Sequence, residues 1–593
     1  MGDASETLAP ASLAGNDGRP SQILTAFSLD EPTIDDVRRL RVAVIGSGLS
    51  GVLAGVLLPA KVPNIQLTIF EKNNEVGGTW LENIYPGVRC DIPANVYQST
   101  FSPNTQWSQQ FAEGAEIRDY WQAIARKYNV YRYIRFGHQV TGLEWNESTG
   151  KWQVGLKTTE QDTTEDFDFV LPAIGHFNDW RLPDYPGLEE YKGHLRHTSN
   201  WDPTYDPTGK RVAVIGNGAS GIQVVPNLQR IASHVDHYAR NKTWVAASWA
   251  GDERTFEPQY FSAEQLKSFE DPEAYLAFRK DLEQKYWRGF RGVFRGTEQN
   301  EKVRNTSIDL VKKRLASRPE LVDDIIPSFS PSCRRLTPGP GYLEALLAPN
   351  VTYIQTPISH FTATGIVTTD GVHRPVDAIF AATGANTDFK PPFPIIADGI
   401  DLRSAWKPGG KWGYPHTYLG FATPGFPNLL WILGAHAAGA SGTVPHAVET
   451  QLTYYAKLLR KVSSQGIRSV APSAAATDDF IAYANRFFPA TVFSEDCSSW
   501  ANSGVAGSFI HGHWPGSAAH LTLVRREPRW EDWVYGYGGD GEGEGGQGKV
   551  NRFEYFGAGW TKRELDPNVD ITSYLKRPGE DVDLRNLHEN WWE

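Results

Sequence analysis

Short apolar runs that end in glycine dominate the hydrophobic pattern of this chain. The hexapeptide Arg-Val-Ala-Val-Ile-Gly occurs twice, at residues 41–46 and again at residues 211–216. Each run is followed by a glycine-rich turn and by an apolar stretch long enough for a helix. An uninterrupted apolar run of this length is typical of a parallel strand that is buried on both faces. The repeat therefore predicts an α/β fold in which one strand-turn-helix unit occurs twice.

The two turns share a glycine spacing that suits a phosphate group. In such a turn the first glycine permits the bend, the second lets the backbone approach a pyrophosphate, and the third lets helix and strand pack closely. The phosphate lies at the helix N-terminus, where free N–H groups favour negative charge. We therefore predict two Rossmann-like dinucleotide-binding domains. The turns read Gly46-Ser-Gly48-Leu-Ser-Gly51 and Gly216-Asn-Gly218-Ala-Ser-Gly221.

The residue that ends the next strand differs between the two units. After the first turn the strand ends in Glu71, about 20 residues beyond the last glycine. A carboxylate at this position accepts hydrogen bonds from a ribose diol and repels a 2′-phosphate, which suits FAD. After the second turn the strand leads to Arg240 and Asn241. A guanidinium there can bind a 2′-phosphate, so the second unit is predicted to bind NADPH rather than NADH.

The order of these patterns predicts how the chain is divided. Before residue 327 the spacing of apolar residues becomes helical, and Ser262-Ala-Glu-Gln265 is a capping-box sequence, so we predict a helical insertion within the second Rossmann-like domain. The glycine-rich segment 538–548 is predicted to be a surface loop. The predicted divisions are a flexible N-terminus (1–36), the first part of the FAD-binding domain (37–180), the NADPH-binding domain (181–385) with its insertion at about 255–327, and the second part of the FAD-binding domain (386–593).

The composition of the chain argues against several kinds of binding partner and site. The formal net charge is −11 without a long basic run, which gives no support for nucleic-acid binding. No apolar stretch reaches the roughly 18–20 residues of a membrane span, and the N-terminus lacks a secretory signal. Cys90, Cys333 and Cys497 are far apart and form no CxxC pair, which argues against disulfides and zinc sites and favours a reducing compartment. We expect a cytoplasmic protein without a metal site or an obligate protein partner.

Five further segments carry a resemblance to a known family. They are EKNNEVGGTW (71–80), YPGVRCD (85–91), YKGHLRHTSNWD (191–202), CRRLTPGPGYLE (333–344) and DAIFAATG (377–384). Together with the two turns they resemble the Baeyer–Villiger monooxygenases, in particular those of fungal natural-product pathways. That family's identifying motif is FxGxxxHxxxW followed by Pro or Asp, and the third segment matches it except that Tyr191 replaces Phe. Related enzymes that oxygenate nitrogen or sulfur carry Tyr or Phe where Trp201 stands, so Trp201 favours ketone oxidation.

The resemblance implies a role for individual residues. Arg335 matches the catalytic arginine and Asp91 the carboxylate that positions it. Trp500 resembles the tryptophan of a mobile loop that folds over bound NADP. The implied FAD site comprises Gly46, Gly48, Gly51, Glu71, Gly78, Thr79, Trp80, Asp91 and Tyr97. The implied NADPH site comprises Asn217, Gly218, Ala219, Ser220, Gly221, Gln223, Arg240 and Asn241, with Arg334 as an additional phosphate contact.

The resemblance also implies a reaction. The reduced flavin would form a C4a-peroxide with O2, and the peroxide would convert a ketone into an ester or lactone. A permanently charged arginine suits this chemistry because it stabilises anionic oxygen. The substrate would be a small-molecule ketone, a polyketide or terpenoid. Three alternatives stay open: oxygenation of nitrogen, sulfur or carbon with the same cofactors, a flavin-dependent reductase, for which Cys90 lacks a nearby partner, and a non-catalytic binding scaffold.

Overall fold

The computed structural model describes residues 31–245, 260–337, 339–537, 552–585 and 587. The N-terminal residues 1–30, part of the predicted insertion and the glycine-rich segment 538–548 lie outside the described residues. Among the residues that the structure describes, no helix combines the length and the apolar character that a membrane crossing needs.

The described chain alternates strands and helices. The strands are β1 (Leu40–Ile45), β2 (Ile65–Phe70), β3 (Ile134–Arg135), β4 (Gln139–Asn146), β5 (Lys151–Lys157), β6 (Asp162–Phe167), β7 (Phe169–Pro172), β8 (His194–His197), β9 (Arg211–Ile215), β10 (His234–Tyr238), β11 (Val351–Ile354), β12 (Ile358–Thr362), β13 (Gly365–Thr368), β14 (His373–Pro375), β15 (Ala378–Ala381), β16 (Ile395–Ala397), β17 (Ile400–Asp401), β18 (Ile467–Pro472) and β19 (Trp533–Tyr537). The α-helices are α1 (Leu49–Lys61), α2 (Thr79–Glu82), α3 (Gly114–Lys127), α4 (Ala219–Gln229), α5 (Ala263–Ser268), α6 (Pro272–Arg288), α7 (Glu298–Arg314), α8 (Glu320–Ile325), α9 (Tyr342–Leu347), α10 (Leu402–Ala405), α11 (Val444–Ser464), α12 (Ala474–Phe487), α13 (Ala518–Arg526) and α14 (Lys562–Leu565).

Each predicted glycine turn follows an inner strand of a parallel sheet, β1 in the first sheet and β9 in the second. The first sheet has the strand order β3-β2-β1-β7, and the second has the order β11-β10-β9-β15-β8. In the first sheet Ile45 pairs with Phe70, and in the second Ile215 pairs with Tyr238. The strands of each pair therefore end at the same edge, which brings the residue after β2 or β10 beside the glycine turn after β1 or β9.

The chain after residue 443 returns to the first sheet. Helix α11 packs against α1, and Val448 and Leu452 share one apolar core with Val52 and Leu58. The segment before α11 also returns to this sheet, through a parallel bridge between Val170 of β7 and Leu429. Burial of these side chains is the main force that joins the two distant parts of the chain.

The predicted helical insertion contacts both Rossmann-like regions. Its capping box is confirmed, because the Ser262 hydroxyl accepts from the Gln265 N–H at the start of α5. Helix α6 packs against the segment that follows Asp91, where Arg279 donates to the carbonyl oxygen of Ser99 at 3.2 Å. Helices α7 and α8 instead contribute Leu310 and other apolar side chains to the core under the second sheet. The insertion is therefore a bridge between the two regions.

One sequence-based expectation is wrong. Cys333 and Cys497 form a disulfide, with their Cα atoms 6.5 Å apart and a sequence separation of 164. Absence of a CxxC pair argued against such a bond, but distance along the chain does not limit distance in a folded domain. Among the described cysteines Cys90 is free and buried. The inference of a reducing compartment thus loses the argument on which it depended.

Candidate active site

A single cavity of about 1290 Å³ connects the two glycine turns. At one end it is lined by Gly46, Gly48 and Glu71, and at the other by Gly218 and Arg240. Its volume exceeds the roughly 300–1,000 Å³ that is usual for one small ligand. The space between the two turns is therefore large enough for more than one bound molecule.

The first glycine turn has the close contacts that exclude side chains. Gly46 has φ +104°, and a Cβ there would lie 2.8 Å from the carbonyl oxygen of Ala173. A Cβ on Gly51 would collide with the carbonyl oxygen of Gly46, and one on Gly78 would lie 2.8 Å from Cα of Gly48. Helix α1 begins at Gly48 without a side-chain cap, which leaves its first N–H groups available to a phosphate.

Glu71 is fixed beside this turn at the end of β2. Its carboxylate is buried and accepts from the backbone N–H of Ser47 at 2.7 Å, from the Ser47 hydroxyl at 2.9 Å and from the Asn73 N–H at 2.8 Å. A carboxylate has about four acceptor positions, so one remains for a ribose hydroxyl. The carboxylate is thus oriented before any ligand arrives.

The second glycine turn repeats the first in a more open form. Gly216 has φ +105°, and a Cβ on Gly221 would collide with the carbonyl oxygen of Gly216. Beside Gly218 no atom lies within 4 Å of an added Cβ, and α4 begins there without a side-chain cap. The Asn217 side chain donates to the carbonyl oxygen of Asn241 at 2.6 Å, which ties the turn to the end of β10. Ala219 and Ser220 also line the cavity.

Two arginines, Arg240 and Arg334, line this end of the cavity. Arg240 is exposed, and Arg334 donates from Nε to the carbonyl oxygen of Ser498 at 2.6 Å. Burial and the positive charge of Arg240 lower the pKa of Arg334. No carboxylate in the described ranges forms an ion pair with either guanidinium. Two such cations favour a phosphate dianion, which the sequence predicted for Arg240 and Arg334.

Gln223 has a different environment from the one expected for a coenzyme contact. Its Oε1 accepts from the Tyr85 hydroxyl at 2.9 Å, and its Nε2 donates to the carbonyl oxygen of Arg89 at 3.1 Å. Gln223 therefore joins α4 to the loop that precedes Asp91, while its side chain also borders the cavity.

Asp91 and Arg335 form a bidentate ion pair in the cavity wall. Nε of Arg335 donates to Oδ2 at 2.6 Å and Nη2 donates to Oδ1 at 2.8 Å, across 244 residues of sequence. Burial lowers the pKa of Arg335, but the attraction and hydrogen bonds of Asp91 outweigh burial, so the pKa is raised overall. Burial and the charge of Asp91 raise the pKa of the neighbouring Cys90 thiol. The site thus contains a fixed cation and a protonated thiol.

The predicted aromatic residues line the same wall. Trp80 and Tyr97 meet edge to face, with ring centroids 5.8 Å apart, and Nε1 of Trp80 donates to the Tyr97 hydroxyl at 3.4 Å. Thr79 begins α2 beside them and also borders the cavity. All the predicted site residues of the first unit except Gly51 therefore border one cavity.

Comparison with known proteins agrees with this geometry. A family model described as flavin-binding monooxygenase-like matches residues 39–256. The FAD-binding monooxygenase tazF of Aspergillus terreus is 34% identical over 571 residues, which cover 94% of this chain and 98% of the relative. The chain belongs to the flavin-binding monooxygenase family. A second relative, the FAD-binding monooxygenase moxY of Dothistroma septosporum, is 32% identical over 569 residues, covering 94% of this chain and 87% of the relative.

Solved structures confirm the predicted two-domain α/β fold of this monooxygenase. Cyclohexanone monooxygenase from Rhodococcus sp. Phi1 bound to NADP+ aligns with a TM-score of 0.72 at 23% identity, covering 85% of this chain and all of that one. A steroid monooxygenase bound to NADP aligns with a TM-score of 0.70 at 22% identity, covering 84% of this chain. The family resemblance and the flavin cofactor expected from the sequence are confirmed, and the chain is a flavin-dependent monooxygenase.

Several cavity residues of the monooxygenase were not identified from sequence. Tyr286, near the end of α6, borders the cavity, and its hydroxyl has no hydrogen-bond partner among the described residues. Residues 438–444 and Ala518 and Leu521 of α13 also line the cavity. Tyr286 follows the buried Leu282 by four residues, so helical spacing could have placed it on the buried face. No sequence signal distinguished that face from an ordinary core.

Trp500 lies in a short 3-10 turn (Trp500–Asn502) that borders the cavity. Its ring stacks at 6.2 Å on His176 and meets His513 edge to face at 4.6 Å. Arg334 contacts the same segment, since its Nε donates to the carbonyl oxygen of Ser498. None of the described histidines, cysteines or carboxylates group in a way that could hold a metal ion.

Four buried histidines should make the folded protein less stable in acid. Burial lowers the pKa of His237 and His511 to about 4 and that of His436 and His513 to about 3. Between those values and the ordinary 6.5, the unfolded chain binds protons that the native protein does not. Stability should therefore fall from pH 6.5 towards pH 4, by up to about 1.4 kcal/mol per pH unit for each histidine, and should not change through these groups above pH 7.

Urea unfolding at constant ionic strength between pH 8 and pH 4.5 measures this effect. His436→Gln should reduce the slope by about one proton. Equal unfolding free energies at pH 7 and pH 5 would contradict the assignment of neutral buried imidazoles.

Proposed function

We propose that this monooxygenase inserts one oxygen atom of O2 beside the carbonyl group of a ketone, with NADPH as the reductant. The products are an ester or lactone, water and NADP+, so ketone, O2, NADPH and one proton balance the reaction. The observation that carries the proposal is the Asp91–Arg335 ion pair in the wall of the cavity that connects both glycine turns. A cation held there is suited to oxygen that carries negative charge.

The residues present fit the two cofactors. FAD would bind at the first glycine turn. The uncapped N-terminus of α1 at Gly48 and the oriented carboxylate of Glu71 would bind its diphosphate and ribose, and Gly51 would keep helix and strand close together. Gly78, Thr79, Trp80 and Tyr97 would lie along the flavin. Bound FAD supplies reduced isoalloxazine, which activates O2. The turn at 217–221, with Asn241, Arg240 and Arg334, would hold NADPH. Gln223 would support this end through its bonds to the loop before Asp91.

The side chains of this chain would divide the catalytic work. Arg335 keeps its proton and stabilises the negative charge that develops on oxygen as the carbonyl group is attacked. Asp91 fixes the plane of the guanidinium through two hydrogen bonds, so little reorganisation is needed. Trp500 and the neighbouring wall would exclude water from the coenzyme end.

Similar monooxygenases suggest the class of ketone. Gly439, Ala440, Gly442 and Ala518 border the cavity where α13 packs closely on residues 439–442, since a Cβ on Gly442 would lie 2.5 Å from that of Ala518. Relatives from filamentous fungi carry the same FAD-binding monooxygenase description, and the solved neighbours include cyclohexanone and steroid monooxygenases. We infer that the substrate is a polycyclic ketone of secondary metabolism, a polyketide or terpenoid.

Aerobic turnover tests the proposed reaction. The holoenzyme is supplied with NADPH, ¹⁸O2 and a panel of cyclic ketones that includes 2-tetralone and a steroid ketone, with thioanisole and a tertiary amine as controls. The expected product is an ester or lactone that contains one ¹⁸O atom and that base hydrolyses to a hydroxy acid. Oxygenation of the sulfide or amine with no ester from any ketone would contradict the proposal.

Arg240 provides a separate prediction about coenzyme choice. Arg240→Ala removes a guanidinium from the predicted 2′-phosphate site, so NADPH use should weaken by about 1.5–3 kcal/mol, while NADH use should stay nearly constant. The measurement is kcat/KM for both coenzymes. Arg318→Ala serves as the control, because Arg318 pairs with Glu320 away from the cavity. An equal loss with both coenzymes would show that Arg240 is structural.

A further inference from the structure

The Cys333–Cys497 disulfide joins two segments that both border the cavity. Cys333 directly precedes Arg334 and Arg335, and Cys497 lies three residues before Trp500. The bond therefore links the backbone that carries the catalytic arginine to the backbone that carries the cavity-lining tryptophan. Neither Rossmann-like turn takes part in this link.

Two hydrogen bonds connect the same pair of segments. The Ser330 N–H donates to the Glu495 carboxylate at 2.6 Å, and Nε of Arg334 donates to the carbonyl oxygen of Ser498 at 2.6 Å. We call residues 495–504 the front limb. The disulfide lies between these two hydrogen bonds, so three links fix the front limb to the segment 330–334.

The rest of the Trp500 segment is attached elsewhere. Residues 510–514, the return limb, bind the chain near residue 437: His436 N–H donates to the carbonyl oxygen of His511 at 2.6 Å, and Trp514 N–H to that of Ala438 at 2.8 Å. Bonds within the front limb are local, such as the one from the Asn502 side chain to the carbonyl oxygen of Cys497 at 2.9 Å. Two further bonds join the limbs, because the N–H groups of His511 and Gly512 both donate to the carbonyl oxygen of Ala501 at 3.0 Å. Movement of the front limb would break these two bonds, while the bonds of the return limb to His436 and Ala438 can remain.

We propose that the Cys333–Cys497 bond is a positioning brace for the reaction, which holds Trp500 and the Arg334–Arg335 segment in a fixed relation at the coenzyme end of the cavity. The inference rests on the proposed function. With the brace formed, Trp500 stays against His176 and His513 and closes that part of the wall. Without it the front limb samples open states, so coenzyme binds less tightly and water reaches the reacting oxygen.

The surroundings of the two sulfur atoms limit how the disulfide can be reduced. Cys333 and Cys497 are 2% and 3% exposed and lie in an apolar cluster with Val293, Phe488 and Phe493. A thiol reductant must therefore reach them through an opening of the front limb. In that step the S–S bond breaks, two S–H groups form, and two thiols of the reductant are oxidised to a disulfide. The brace is thus a stable part of the folded enzyme that strong dithiol treatment removes.

Three variants of the holoenzyme test the brace: Cys333→Ala, Cys497→Ala and the double variant. Thiol titration of the unreduced wild type in denaturant should find one thiol, that of Cys90. Each variant should speed amide hydrogen exchange at 497–504 and at His511 and Gly512, whose N–H groups donate to Ala501, but not at Trp514, whose N–H donates to Ala438. Each variant should also weaken NADP+ binding by about 3- to 10-fold. A larger share of the NADPH consumed should appear as hydrogen peroxide. The double variant should be no worse than either single one, because each removes the same bond.

Dithiothreitol provides the matching control. Treated wild type should reproduce the variants, and the double variant should not respond to it. Three thiols in the unreduced wild type would overturn the proposal. So would variants that melt at a lower temperature but keep the wild-type exchange, NADP+ affinity and peroxide share, because the bond would then serve stability alone. If the wild type oxygenates no ketone, the proposed function is wrong. Amide hydrogen exchange at 497–504 would still test whether the disulfide holds the front limb in place.

Discussion

Arg335→Ala should still bind flavin and still oxidise NADPH in air, but it should release hydrogen peroxide in place of ester. The two glycine turns are predicted to bind the cofactors and Arg335 belongs to neither turn, so both sites should survive the substitution. Under the proposed function, what is lost is the fixed charge that stabilises anionic oxygen during attack on the carbonyl group. Loss of one such preorganised group costs about 10²–10³ in rate. The measurement is the ratio of oxygenated product to hydrogen peroxide per NADPH consumed.

Two further variants sharpen this experiment. Arg335→Lys keeps the charge but cannot form both hydrogen bonds to Asp91, so it should fall between wild type and alanine. The exposed Arg291→Ala should behave as wild type. An unchanged product ratio in Arg335→Ala would remove Arg335 from the mechanism, whatever the result with NADPH.

Gly51→Ala and Gly221→Ala should separate the two cofactors. In each case the new methyl group collides with the carbonyl oxygen of the first glycine of the turn, Gly46 or Gly216. Because that neighbour is backbone, helix and strand must move apart, at a cost of about 1–3 kcal/mol. Gly51→Ala should therefore lose flavin during purification. Gly221→Ala should remain yellow but be reduced by NADPH only at much higher coenzyme concentrations.

Absorbance of the purified protein and anaerobic reduction by NADPH measure the two effects. Gly292→Ala is the matched control, because its added Cβ would lie 3.7 Å from Gln299, an ordinary contact distance. A colourless Gly221→Ala together with a yellow Gly51→Ala would reverse the assignment of the two units.

The sequence by itself determined the two nucleotide-binding units. Their strands, turns and first helices follow from local features: a continuous apolar run, three glycines at fixed spacing, and a charged residue at the end of the next strand. Register then places Glu71 and Arg240 beside the turns, because the parallel strands of each sheet end at one edge. The capping box at Ser262 was predictable for the same reason, since both of its bonds lie within four residues.

Only the tertiary structure decided what surrounds the space between those units. The Asp91–Arg335 pair joins residues 244 apart, and the disulfide joins residues 164 apart. Resemblance suggested the first pair, while sequence spacing argued against the second. Helix α6 reaches the cavity because its buried face packs on the segment that contains Val96 and Ser99. Periodicity shows that such a face exists but not which surface covers it, because burial of apolar area is non-directional and the partner is fixed by the whole fold.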